Sequence, residues 1–92
     1  MKPISWNPEK NRQLQRDRQV SFEDIVYHMM AGGILDTLEH PNQERYPGQK
    51  IHVIDVEGYV SLVPFVESEE EVFLKTIIPS RKATKAYLGG AE

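Results

Sequence analysis

The sequence predicts an α+β fold: a compact single domain in the order ααββββα, with an antiparallel four-stranded sheet and helices packed on it. Three observations predict it. Helix caps and helical spacing occupy residues 8–30, β-branched runs broken by turn residues occupy 34–78, and a Pro79-Ser80 break opens a last short helical stretch. The 92 residues leave room for one core, so 1–92 is a single domain. A chain this short buries only roughly 60–65% of its unfolded surface, a thin margin that an obligate partner would widen.

The first helix starts at Pro8, with Asn7 as N-cap and Glu9 complementing the positive helix end. Its body to Asp17 is polar apart from Leu14, so it lies across a surface, anchored by Trp6 and Leu14, and shows a basic face. The second helix is capped by Ser21, with Asp24 in the capping-box position and Val20 stapled to Ile25. Phe22, Ile25, Val26, Met29 and Met30 recur at i, i+3, i+4, i+7 and i+8, a core-facing stripe that Gly32-Gly33 ends.

Ile34–Glu39, Lys50–Val56, Tyr59–Val66 and Val72–Ile78 read as strands. A loop from Asn42 to Gly48 separates the first two, and Glu57-Gly58 makes a two-residue hairpin turn between the next two. Pro64 cannot donate to a ladder, which predicts an edge or a bulge there. Glu67–Glu71 is an acidic turn, and Ser80 caps a final helix from Arg81 to Leu88, ended by Gly89-Gly90. Short connections make the sheet antiparallel, with the second helix on one face.

Charge is segregated along this chain of net charge −3. Residues 1–20 carry a net +3 through Lys2, Lys10, Arg12, Arg16 and Arg18 against two acids. Residues 79–92 carry +2 through Arg81, Lys82 and Lys85 against Glu92, and the 58 residues between carry −8. If folding joins the two ends, an acidic molecule presents one cationic face, because local potential decides what a surface attracts. Arg81 and Lys85 stand one helical turn apart and share a face, with Lys82 beside them. The bland alternative is that these cations meet solvent and the C-terminal helix dipole.

Other chemistry finds little support. There is no cysteine, hence no disulfide and no thiolate metal site. His28, His40 and His52 lack the i, i+4 spacing of paired ligands and read as ordinary surface or partly satisfied imidazoles, so no metal and no cofactor are expected. Glu69-Glu70-Glu71 reads as a solubilising turn. No glycine loop opens a helix to cradle phosphate, and no serine has a nucleophile-elbow context, Ser21 and Ser80 being caps. Met1-Lys2-Pro3-Ile4 lacks the apolar core of a signal peptide, and no apolar run reaches membrane-spanning length, which predicts a cytoplasmic protein with no membrane partner.

Two segments carry a resemblance. Trp6-Asn7-Pro8-Glu9-Lys10 followed by Val20-Ser21-Phe22-Glu23-Asp24 resembles the opening of the BrnT family of bacterial toxins. Ile77-Ile78-Pro79-Ser80-Arg81-Lys82-Ala83-Thr84 is similar to that family's closing strand and basic helix. The resemblance implies a RelE-like fold and a toxin of a type II toxin–antitoxin system. Such a toxin cleaves RNA without a metal, inhibits translation and is neutralised by a ribbon-helix-helix antitoxin, through which alone the complex binds promoter DNA. Trp6, Ser21 and Phe22 match as structural residues, and Lys10 and Arg81 as functional ones.

On this reading Arg81, Lys10 and Arg18 are the catalytic candidates. Lys82, Lys85, Arg12, Arg16 and Tyr87 are the RNA-binding candidates, Tyr87 by stacking on a base or relaying a proton. The sequence departs from the family where a His-Gly pair is common, carrying Arg18-Gln19, and where an Asn is common, carrying Leu14. The rival readings are a catalytically degenerate member that only binds an antitoxin-like regulator, and an unrelated α+β domain with solvated basic helices.

Overall fold

Residues 2–89 are described by a computed structural model, and the chain enters it through a strand that the sequence reading lacks. The elements are β1 (Ile4–Trp6), α1 (Pro8–Arg18), α2 (Phe22–Met30), β2 (Ile34–Glu39), β3 (Lys50–Val56), β4 (Tyr59–Glu67), β5 (Val72–Leu74), β6 (Ile78–Pro79) and α3 (Arg81–Leu88). The sheet runs β1-β5-β4-β3-β2, with β6 also pairing β4. The α+β class and the three helices agree with expectation. The antiparallel four-stranded sheet is corrected to a mixed sheet of six strands, because β1 lies parallel to β5.

Both sheet corrections come from pairing with a strand elsewhere in the chain. Ile4 and Trp6 register with Val72 and Leu74, and Trp6 stacks on Phe22 with ring centroids 5.5 Å apart. Three residues are too few to show a period of two, so only the partner strand makes this segment a strand. The expected strand Val72–Ile78 is split around Pro64. That residue lies inside the central strand β4, where the Pro64 carbonyl accepts from the Lys75 amide at 2.8 Å. Having no N–H, Pro64 returns no bond, and the neighbouring chain leaves the ladder until Ile78 pairs with Leu62. Pro64 therefore sits at a bulge within the sheet and not at its edge, the register slipping by one residue between Phe65–Leu74 and Leu62–Ile78.

The helices start where their caps predict. The Asn7 side chain accepts from the Glu9 and Lys10 amides, Ser21 Oγ from the Asp24 amide, and Ser80 Oγ from the Ala83 amide. Glu57 and Gly58 both take positive φ (55° and 90°), as a two-residue hairpin with this twist requires. Leu14, Phe22 and Ile25 pack on Ile54, Val63, Phe65, Leu74 and Ile77, and these form the main core. Along α2 the stripe fades: Val26 and Met29 are half-buried, and Met30, the last residue of the helix, is 57% exposed.

Alternation along β3 and β4 places Val53 and Val60, both fully buried, on the other face of the sheet. There α3 packs on β4. The Tyr87 hydroxyl donates to Asp36 Oδ2 at 2.8 Å, and Asp36 is the cross-strand neighbour of Val53. The helices thus lie on both faces, α1 and α2 on one and α3 on the other.

Candidate nucleic-acid interface

The segments that carry the two basic ends are joined at one point, a seam between the end of α1 and the chain leading into α3. The Arg18 guanidinium, at the last residue of α1, donates from Nη1 to the Ile77 carbonyl at 2.9 Å. Ile77 is fully buried and stands four residues before Arg81, so one hydrogen bond ties the end of α1 to the approach of α3. The turn that makes this possible is Gln19, which holds a left-handed conformation (φ 59°, ψ 36°) and closes the helix.

Arg81, Lys82 and Lys85 are exposed, while Ala83 and Thr84 turn inward. Thr84 fixes that orientation: its Oγ1 accepts from the Val60 amide at 2.8 Å and donates to the Ser80 carbonyl at 2.7 Å. Arg81 and Lys82 occupy the first turn of α3, which holds no acid. A helix N-terminus is positive and disfavours cations, so these two side chains work against the helix dipole; only Lys85 reaches the favourable last turn. Among the described residues no ion pair involves Arg16, Arg18, Arg81, Lys82 or Lys85.

Not every expected residue joins this seam. Lys10 is half-buried and lies eight residues before Arg18, about 12 Å back along the helix axis. Arg12 is paired with Glu9 on α1 itself. Tyr87 has its hydroxyl engaged by Asp36, and this hydrogen bond to a carboxylate raises its pKa, so it keeps its proton and anchors α3 to β2. Lys75, exposed and two residues before Ile77, has its ammonium 5.6 Å from the centre of the Phe73 ring.

The matched structural residues hold the other side of the seam together. Asn11, 7% exposed, accepts from the Phe22 amide and donates to Glu23 Oε1, both at 2.8 Å. The sequence reading passed over it, and its one signal is an amide in a helix that must pack on something. Of the histidines, His28 lies beside Asp24 and Glu57, His40 against Tyr46, and His52 against Phe65, and no histidine is among the seam residues. No family model matches the chain, and no curated protein or solved structure matches it significantly.

Proposed function

We propose that this chain is a BrnT-like toxin of a type II toxin–antitoxin system, a metal-independent ribonuclease held inactive by a ribbon-helix-helix antitoxin. The observation that carries this reading is the cationic seam, where Arg81, Lys82 and Lys85 stand exposed on α3, four to eight residues beyond the Ile77 carbonyl that tethers the end of α1. A second feature supports the resemblance. Gln19 occupies the position where the family commonly has glycine, and it takes the left-handed conformation that glycine adopts without strain.

Cleavage on this reading starts with the ribose 2′-hydroxyl attacking the adjacent phosphate: the bond from phosphorus to the 5′-oxygen of the next nucleotide breaks, the hydroxyl proton passes to water, the leaving oxygen takes a proton from water, and a 2′,3′-cyclic phosphate remains. Charge builds on the phosphate oxygens, and fixed cations stabilise it. Arg81 takes that role because its fork of N–H donors matches phosphate geometry. Lys82 and Lys85 hold the flanking backbone, and Arg18 acts by positioning, through its bond to the Ile77 carbonyl.

The test is expression without any partner. Wild-type protein is expected to arrest growth and degrade cellular RNA, and Arg81→Ala to do neither. Equal arrest by both would remove Arg81 from the mechanism.

One observation favours the second reading, a degenerate member that only docks a regulator. Where the family often has a histidine, Arg18 is occupied with a backbone carbonyl, and the described seam offers no imidazole to move a proton. Purified, partner-free protein incubated with RNA separates the two readings. Intact RNA together with tight binding to the product of a neighbouring ribbon-helix-helix gene selects the module.

A further inference from the structure

A second concave site lies away from the seam, on the sheet face that carries α2. Because α2 stops at Met30, the lower part of this face is uncovered and forms a groove of about 450 Å³. That volume falls in the range of small-molecule sites, roughly 300–1,000 Å³. Its walls are apolar, with Ile4, Met29, Ile34, Phe65 and Val72 among them. His52 lies in it, stacked on Phe65 with centroids 4.0 Å apart and its Nδ1 2.9 Å from Thr37 Oγ1. With Nδ1 engaged, Nε2 is the ring nitrogen left for a ligand.

The mouth of the groove carries an unbalanced set of charges. Lys2 and Glu67 are paired at 2.7 Å. Lys50 also lines the groove and has no ion pair among the described residues; Glu39, opposite it on β2, is not within ion-pair distance. Glu67 and Lys50 both act electrostatically on His52, so the four groups form one cluster. Two lysines and an imidazole surround one carboxylate, and the cluster is one anion short. It sits largely within a stretch of chain whose net charge is −8, so a basic surplus here is not a spill-over from its surroundings.

We propose that this groove binds a small monocarboxylic acid with an aliphatic body, the carboxylate held between the Lys50 ammonium and His52 Nε2 and the hydrocarbon laid on Met29, Ile34 and Phe65. Burial holds the free imidazole neutral, and a bound carboxylate next to it restores basicity. The site does not use the seam, so it stands whether or not the chain cleaves RNA.

The experiment titrates the full chain at pH 7 with sodium octanoate and, separately, with 1-octanol, reading backbone and methyl NMR shifts. Octanoate is expected to give saturable shifts at Lys50, His52 and Met29 and to bind about tenfold tighter than octanol, as a charge-assisted hydrogen bond supplies. Lys50→Met should bring the two ligands to near parity while leaving octanol binding unchanged, and Lys50→Arg should keep the preference. The proposal is overturned by the absence of saturable shifts, by equal binding of the two ligands to wild type, or by a Lys50→Met protein that keeps its preference. Should Lys50→Met fail to fold, the two-ligand comparison on wild type decides alone.

Discussion

Asn11 shows how much one polar side chain can hold. It sits in a helix that contributes almost no apolar surface, yet it meets the first amide of α2 and the carboxylate next to it. Asn11→Ala leaves the buried Phe22 N–H without a partner and should cost about 1–3 kcal/mol in urea unfolding. The same variant should change an ionisation. The hydrogen bond from Asn11 is the main cause that lowers the Glu23 pKa, with smaller contributions from its own backbone amide and Ser21, so an NMR titration should find Glu23 lower in wild type than in Asn11→Ala. His52 gives a second pH signature. Burial lowers its folded-state pKa, so the unfolded chain binds more protons as pH falls below about 6.5, and stability drops there. Melting midpoints at pH 7.5 and 5.5 should therefore differ, with the lower value at 5.5, and His52→Gln should narrow the gap.

At the level of elements, the joint between α2 and the sheet depends on Gly33. Its amide donates to the His28 carbonyl and its carbonyl accepts from the Asp55 amide, both at 2.8 Å. A Cβ there would lie 2.8 Å from the His28 oxygen and 3.0 Å from the Asp55 oxygen, both backbone atoms that cannot swing aside. Gly33→Ala should destabilise by about 1–3 kcal/mol in denaturant unfolding; a change within experimental error would mean that the joint has slack. The last helix has the opposite character. None of its residues is fully buried, and it is fixed to the sheet by Thr84, Tyr87 and its Ser80 cap. A helix that keeps two cations in its positive first turn gives up stability, and departures of this kind are expected at sites with work to do.

For the whole molecule, five of the eleven acids of the middle segment, Glu23, Asp36, Asp55, Glu67 and Glu71, each accept a hydrogen bond, from Asn11, Tyr87, Gly58, Lys2 and Ser5 in turn. Solvent charges farther than a Debye length, about 8 Å at physiological salt, contribute little, so the seam can attract a polyanion although the chain is acidic overall. Binding of single-stranded RNA should therefore weaken with salt. Three phosphate contacts, by Arg81, Lys82 and Lys85, predict a slope of log K against log salt of about −2, and Arg81→Ala should flatten it by about 0.7. A slope near zero in fluorescence anisotropy would show that the seam does not carry the binding.

The local signals in the sequence determined the three helices with their caps, the β2–β3–β4 meander, the Glu57-Gly58 turn and the segregation of charge. Each depends on neighbours within one helical turn or one hairpin, where spacing and side-chain chemistry are sufficient. Tertiary structure alone decided the rest. Ile4–Trp6 is a strand because Val72–Leu74 lies beside it, more than sixty residues away. Pro64 splits β5 from β6 because of what it cannot donate to a neighbour. The groove around His52 exists because α2 ends before the sheet does. In every such case the deciding partner is remote in sequence, and no local pattern carries it.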